Sequence, residues 1–266
     1  ASGYTGQELL RLLLMHPAVE LAAVTSRQYA GLSLGSVFPR FAGMPGAGLD
    51  FVDADAAAVA SSGARVAFLA LPHGVAAAFA RDLLEAGLSV IDLSADFRLR
   101  ETSVYEEFYG TPHPDPDLLK EAVYGLPEWR AADIAKARLV ASPGCYPTSI
   151  LLPLLPLLKQ DLIGREGIVC HSMSGVSGAG RKEAIPLLFS ECNESVRAYG
   201  LPKHRHLSEI EQELGLVAGG RVTIQFLPHL VPVTSGICTT TTACVAPGVG
   251  LDEIQNCLDQ AYAKAP

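Results

Sequence analysis

Short apolar runs alternate with stretches of helical periodicity through the first half of the chain. Apolar positions within 7–15, the run 19–25, the run 65–71, the amphipathic stretch Val75 to Leu84, and the runs 88–93 and 138–141 follow one another. That alternation predicts a parallel, doubly wound sheet with helices on its faces. His16-Pro17 stops the first helix and Gly87 ends a later one, because proline cannot continue a helix and glycine accepts the left-handed turn that closes one. The stretch 101–130, with prolines at 112, 114, 116 and 127 and aromatic residues Tyr105, Phe108, Tyr109, Tyr124 and Trp129, reads as an irregular excursion that folds over a site or an interface. Past residue 145 the rhythm changes. The long extended runs Arg221 to Val231 and Gly236 to Val245, separated by a Pro/Thr/Ser/Gly segment, predict antiparallel strands. In the second run Ile237, Thr239, Thr241, Ala243 and Val245 alternate with Cys238, Thr240, Thr242 and Cys244, a half-buried face of a kind that supports dimerisation. Leu251, Ile254, Leu258 and Ala261 predict a last helix.

Composition narrows the class. With 266 residues, 49% hydrophobic and 18% charged, the chain can bury a large core and is expected to divide into two domains, 1–143 and 144–266. A net charge of −8 argues against general nucleic-acid binding, since phosphate backbones attract a basic surface. The most apolar run, 150–158, is short and holds Pro153 and Pro156, so it cannot span a bilayer that needs about 20 apolar residues. Cysteines at 145, 170, 192, 238, 244 and 257 form no Cys-x-x-Cys pair, which disfavours a structural zinc site and a disulfide scaffold and points to a reducing cytoplasm or organelle stroma. The chain opens at Ala1 directly on a glycine motif, and its first strand is expected to precede that residue.

Ser2-Gly3-Tyr4-Thr5-Gly6 opens a helix, and the end of a strand, Ser26-Arg27, follows at the spacing of roughly twenty residues that a dinucleotide-binding unit shows. The glycines admit a pyrophosphate to the helix start. Where an NAD site has an acidic residue for the ribose, Ser26 and Arg27 offer a hydroxyl and a cation, which favours NADP. Pro72-His73 and Ser94-Ala95-Asp96-Phe97-Arg98 close two further strands, at the carboxyl edge where such sheets bind ligands. Arg98 is either a substrate clamp or a surface partner of Asp96 or Glu101. Cys145 lies in Ser142-Pro143-Gly144-Cys145-Tyr146-Pro147, between a strand and a Leu-rich helix. It is the candidate nucleophile, and the amides at the helix start are expected to lower its pKa below the free value of about 8.5. Ser174, Gly175 and Gly178 belong to a glycine-rich stretch that can wrap a phosphate or a nicotinamide. Lys203-His204-Arg205-His206 precedes an amphipathic pattern; without a third ligand nearby, acid/base chemistry fits the histidines better than a metal site.

The motifs Ser-Gly-Tyr-Thr-Gly, Ser-Ala-Asp-Phe-Arg, Pro-Gly-Cys-Tyr-Pro-Thr, Ser-Gly-Val-Ser-Gly-Ala-Gly-Arg, Lys-His-Arg-His and Pro-His-Leu-Val-Pro occur in this order along nearly the whole chain. Together they resemble the N-acetyl-gamma-glutamyl-phosphate reductase family. Aspartate-semialdehyde dehydrogenases share the architecture without the Lys-His-Arg-His run. The resemblance implies a Rossmann-type doubly wound parallel sheet plus an α+β catalytic and dimerisation domain with a largely antiparallel sheet. It also implies NADPH-dependent reduction of an acyl phosphate to a semialdehyde in arginine biosynthesis, in a dimer or tetramer. Cys145 would carry a thioester and His206, or else His204, would be the acid/base. Ser2, Gly3, Tyr4, Thr5, Gly6, Ser26, Arg27, Pro72, His73, Ser174, Gly175 and Gly178 would hold the cofactor. Arg98, Ser142, Arg181 and Lys203 would hold the anionic substrate, with Lys182 and Arg205 as further cations. No metal is implied. Ser235 stands where relatives usually carry an arginine, and the family extends beyond both ends of this sequence. The rival readings are an aspartate-semialdehyde dehydrogenase, a dinucleotide-binding module without catalysis, and a cysteine hydrolase, which would leave the cofactor motif without a purpose.

Overall fold

A computed structural model of the chain describes residues 1–181 and 183–265. In chain order its elements are α1 (Tyr4–Leu14), β1 (Val24–Thr25), α2 (Leu34–Val37), β2 (Phe51–Val52), α3 (Ala56–Ala60), β3 (Val66–Leu69), α4 (Ala76–Glu85) and β4 (Ser89–Asp92). There follow α5 (Thr102–Tyr109), α6 (Pro116–Leu119), β5 (Val123–Tyr124), α7 (Pro127–Ile134), β6 (Leu139–Ala141) and α8 (Cys145–Lys159). The remainder is β7 (Ile168–Ser174), α9 (Phe189–Cys192), β8 (Arg197–Ala198), α10 (His206–Ala218), β9 (Ile224–Leu230), β10 (Ile237–Thr242) and α11 (Leu251–Tyr262). Two compact units form. The first contains 1–97, 114–123 and 136–142; the second contains 98–113, 124–135 and 143–266.

The first unit has the predicted parallel character. β1 pairs with β2 in parallel, and a second sheet runs β3-β4-β6-β5 with β3, β4 and β6 parallel. α4 covers this sheet with Ala76, Ala77, Ala80, Leu83 and Leu84, the stripe expected from a period of 3.6. Its start is fixed by Asp96, whose carboxylate accepts from Gly74 N at 2.7 Å and from Ala77 N at 3.2 Å. The apolar run 19–25 is a strand only at Val24–Thr25, because a turn with Val19 N bonded to His16 O occupies its beginning.

The second unit is built on α8, where Ile150, Leu151, Leu154, Leu155 and Leu158 pack against Ile168, Cys170, Ile210, Leu214, Ile224 and Phe226. Pro153 and Pro156 lie inside this helix. Pro156 leaves the carbonyl of Leu152 without its intrahelical donor, and the Tyr262 hydroxyl donates to that oxygen instead. The sheet order is β10-β7-β9-β8. The runs around β9 and β10 are strands of opposite direction, as expected, and β7 lies between them, antiparallel to β10 and parallel to β9. With β8 antiparallel to β9, the sheet is mixed but largely antiparallel. Half-buried Thr239 on β10 shares hydrogen bonds with the hydroxyls of Ser149 and Ser172, each at 2.8 Å, whereas Cys238, Thr240 and Thr242 are exposed.

Replacing Tyr262 by Phe deprives the Leu152 carbonyl of its substitute donor. The expected outcome is a fall in unfolding free energy of about 1 kcal/mol, measured as a lower urea midpoint at an unchanged m value.

Candidate active site

Cys145 is the first residue of α8, and Gly144, in an extended conformation, is its N-cap. The amides of Tyr146 and of Cys145 itself donate to the thiol and Arg98 adds a favourable charge, each acting to stabilise a thiolate. These effects do not prevail. Cys145 is exposed, yet desolvation by the protein around the sulfur, with a smaller push from Glu209, raises the thiol pKa. The expected lowering is therefore corrected: helix-start amides are present, but burial outweighs them, and the resting thiol is neutral.

The absence of a side chain at Gly144 admits an imidazole to this turn. A Cβ there would sit 2.7 Å from His206 Nε2 and 2.9 Å from its Cδ2, so the imidazole lies flat against the residue before the nucleophile. Burial, followed by the positive influences of His204, Arg98 and Arg205, holds His206 well below its ordinary pKa. Its imidazole is neutral at rest, whereas His204 has another task. His204 Nδ1 accepts the backbone N–H of His206 at 3.1 Å, capping the first turn of α10 and fixing its own proton on Nε2. Burial, then Arg205, lowers His204 to about 4. Tyr146 and Phe226 pack edge-on against this pair, and the Tyr146 and Tyr199 hydroxyls bond at 2.6 Å.

Beneath the turn lies a group that sequence reasoning missed. Glu209, 2% exposed, accepts from Gly144 N at 2.8 Å and from the Tyr124 hydroxyl at 2.7 Å through Oε1. Its Oε2 is 3.5 Å from the guanidinium of Arg98, which is buried beside the nucleophile instead of pairing on the surface. One turn on, Glu213 pairs with Arg130 and accepts from Gln212. The signal was available in the sequence: Glu209 and Glu213 adjoin Ile210 and Leu214 on α10, acids at helical spacing beside an apolar stripe. Burial raises the Glu209 pKa, and Arg98, Gly144 and Tyr124 pull it back.

Other candidate cations stand elsewhere. Lys203 bonds Glu107 at 2.6 Å and lies over Phe108, and Arg205 lies over Tyr109, so both are turned to α5. Arg181 is exposed, and Lys182 lies outside the described residues. The Ser142 amide donates to Asp92 O at 2.8 Å, which anchors the strand end preceding Cys145.

In the first unit, Gly3 is the N-cap of α1 with no side chain capping it, and a Cβ at Gly3 would meet nothing within 4 Å. A Cβ at Gly6 would instead meet Ala1 O at 2.6 Å. Thus the amides of Tyr4, Thr5 and Gly6 begin a helix whose mouth is open, while Gly6 allows Ala1 to pack closely. Ser2 flanks this mouth. Ser26 is buried and its hydroxyl accepts from the Gln28 and Tyr29 amides, both at 3.3 Å; this turn leaves Arg27 exposed. These residues fit a dinucleotide bearing an additional phosphate. Pro72 and exposed His73 precede Gly74, whose φ of +78° suits glycine.

The glycine-rich stretch of the second unit is more constrained than expected. The amides of Gly175, Val176 and Ser177 donate to the carbonyls of Gly236, Val233 and Thr234. Gly178 N bonds Gly175 O, and the Ser174 hydroxyl donates to the same oxygen. A Cβ at Gly175 would meet Ser235 N at 2.7 Å, so Ser235 serves as a close backbone support for this stretch. What Gly175 and Gly178 offer a ligand is close approach, since their amide donors are occupied.

Residues 1–137 match the family described as semialdehyde dehydrogenase, NAD binding domain, and residues 145–266 match semialdehyde dehydrogenase, dimerisation domain. The chain belongs to the semialdehyde dehydrogenase family. It is 64% identical to an N-acetyl-gamma-glutamyl-phosphate reductase of Akkermansia muciniphila, over 100% of this chain and 77% of the relative. A reductase of the same name from Heliobacterium modesticaldum is 45% identical, with 76% of the relative covered. Among solved structures, aspartate semialdehyde dehydrogenase II from Vibrio cholerae superposes with a TM-score of 0.68 at 17% identity, over 98% of this chain and 77% of that one. A probable aspartate-semialdehyde dehydrogenase from Pseudomonas aeruginosa gives 0.66 at 22%, over 97% and 76%. These likenesses show the shared fold of a semialdehyde dehydrogenase. Among the described residues no group of three or more His, Cys, Asp or Glu side chains could hold a metal ion, and no helix is long and apolar enough to cross a membrane.

The depressed His204 pKa sets a pH dependence. Between about 6.5, the ordinary histidine value, and about 4, the unfolded chain holds a proton on this ring that the folded chain does not, so stability falls as pH falls through that window. Urea midpoints at pH 7 and pH 5 are expected to drop further for the wild type than for His204→Asn, whose amide oxygen can still accept the His206 N–H.

Proposed function

We propose that this semialdehyde dehydrogenase reduces N-acetyl-glutamyl 5-phosphate to N-acetyl-glutamate 5-semialdehyde and inorganic phosphate, with NADPH as reductant. The observation that carries this reading is the neutral His206 imidazole lying against Gly144, immediately before Cys145, in a chain 64% identical to a reductase of that name.

The thiol proton passes to the bare Nε2 of His206, and the thiolate attacks the acyl carbon. The carbon–oxygen bond to phosphate breaks, phosphate leaves and takes a proton from solvent, and a thioester remains on Cys145. NADPH, when bound, supplies the hydride that reduces this thioester. The resulting thiohemiacetal collapses to the aldehyde, the carbon–sulfur bond breaks, and His206 returns its proton to sulfur. One acyl phosphate, one hydride and one proton give one aldehyde and one phosphate. Arg98, a buried cation whose charge acts on the Cys145 thiol, serves the anionic substrate. Arg181 and Ser142 are assigned to the same substrate, and Arg27 with Ser26 to the 2′-phosphate of the cofactor. The match to a dimerisation domain and the exposed face of β10 and β7, including Thr240 and His171, support a homo-oligomer. Six unpaired cysteines suit a reducing compartment such as the cytoplasm.

NADPH oxidation by the full-length protein with N-acetyl-glutamyl phosphate is expected to exceed that with aspartyl phosphate, and Cys145→Ser is expected to abolish it. Equal or better turnover of aspartyl phosphate overturns the substrate assignment; full activity in Cys145→Ser overturns the mechanism. Gly144→Ala must displace the imidazole, and a loss of about 100-fold in kcat is expected, the scale of a misplaced general base.

A further inference from the structure

The mixed sheet of the second unit has one covered face and one open face. α8 lies against Ile168, Cys170, Ile224 and Phe226, which are buried positions of β7 and β9. Side chains alternate along a strand, so the opposite face presents positions 169, 171 and 173 of β7, 225, 227 and 229 of β9, 238, 240 and 242 of β10, and 198 of β8, aligned by register. All of them are exposed or half-buried. None is Asp, Glu, Lys or Arg, in a chain with 18% charged residues. Depletion of charge marks the core of an interface, and an open sheet face is closed by stacking on another sheet. Two imidazoles stand on the central strands of this face. The rings of His171 and His229 lie with centroids 4.4 Å apart. His229 Nδ1 is 3.1 Å from Leu227 O; a carbonyl only accepts, so Nδ1 carries the hydrogen and Nε2 takes any further proton. On the same face β10 contributes Cys238, the one other titratable group there, and Thr240, while β8 contributes Ala198. Arg197 alternates to the other side and bonds Pro186 O. Among the described residues of the four strands, no carboxylate faces the pair to compensate a positive charge.

We propose that His171 and His229 make the pairing of two copies through this face proton-dependent: the faces stack while the imidazoles are neutral and separate when acid charges them. The proposal rests on the homo-oligomer proposed above. Its occupant is a second copy, because the segment 145–266 that carries the face matches a dimerisation domain. Stacking removes water from the pair, and a dehydrated imidazolium with no counter-charge is costly. Two positive rings this close repel, so each free face takes up one proton before a second. Both copies shed that proton in order to associate. The separated copies thus bind more protons than the pair, and the dissociation constant rises as pH falls through the histidine range. With two protons shed per association event, the rise is up to about 100-fold per pH unit.

Sedimentation equilibrium of the full-length protein from pH 8 to pH 5.5, at fixed ionic strength and without substrate, reads this constant, and far-UV circular dichroism follows the fold. The expected result is weaker association in acid at unchanged secondary structure, and a flat profile when His171→Gln and His229→Gln are combined. His204 is retained in that double variant, so any acid weakening of the fold through His204 is common to both proteins and the difference between them isolates the pair. Thr240→Lys places a fixed charge on the same face, and association about tenfold weaker at pH 8 is expected, since like charges are brought together across the contact. A wild type whose association ignores pH, a double variant that keeps the wild-type slope, or undiminished association of Thr240→Lys overturns the proposal. The wild-type profile and Thr240→Lys decide the matter if the double variant does not fold. A protein that is monomeric throughout removes the homo-oligomer reading and this proposal with it, whereas association that ignores both pH and Thr240→Lys removes the proposal alone. The reductase assignment is decided separately, by NADPH oxidation.

Discussion

The architecture of the site depends on one residue having no side chain. Gly144 ends the strand-to-helix turn, gives its amide to Glu209 and leaves its α-carbon face to His206. Any Cβ would occupy the volume of the imidazole. The turn that exposes Cys145 and the helix that carries His206 are therefore fixed to each other by direct contact, and the orientation of the imidazole does not depend on a flexible loop. Catalytic geometry held by packing of this kind is tolerant of little displacement, since small misplacements of a base cost large factors in rate.

The same helix carries two buried carboxylates, an arrangement that would destabilise the fold if either were isolated. Neither is. Glu209 has an amide, a phenol and a guanidinium around it, and Glu213 has Arg130 and Gln212. Tyr124 and Arg130 come from the excursion between the two halves of the sequence, and Arg98 from the strand end before it; all three pack within the second unit. The excursion thus contributes the partners that make buried acids on α10 tolerable. Its aromatic residues serve the same end: Tyr109 receives Arg205 and Phe108 receives Lys203, which fixes the segment immediately ahead of His206.

The elements that follow from local periodicity were legible in the sequence. The stripe of α4, the Leu-rich α8 and the alternation of β10 each express a single repeat, 3.6 or 2, that neighbouring residues carry by themselves. Cys145, His206 and Arg98 were legible because unusual neighbours, a Pro-Gly turn, a run of two histidines, a strand-end arginine, mark them. The insertion of β7 between β9 and β10 was not, because strand order is a long-range choice and the intervening Pro/Thr/Ser/Gly segment reads equally as a tight turn or the start of a crossover. Glu209 was missed for a related reason. A glutamate in an amphipathic helix is ordinarily solvated, and only its partners, from residues 98, 124 and 144, reveal it as buried. The segments 98–113 and 124–135 showed their irregularity in their prolines, but their association with the second unit depends on contacts no local pattern encodes.

The nucleophile itself shows why composition of a motif and its energetics must be separated. A cysteine at a helix start suggests a preformed thiolate, and the amides and Arg98 do favour one. Yet the partial desolvation of the sulfur, in a residue that is itself exposed, outweighs those dipoles. The thiol consequently remains protonated at rest, and with His206 also neutral the pair stores no charge separation. Such a site is poorly reactive toward incidental electrophiles, because thiolate appears only when a proton moves to the neighbouring ring. On the proposed mechanism it becomes nucleophilic when an acyl phosphate brings its electrophilic carbon next to the sulfur and His206 takes the thiol proton. On that mechanism the desolvation that keeps the thiol protonated also confines thioester formation to the moment at which proton transfer to His206 and the acyl carbon coincide.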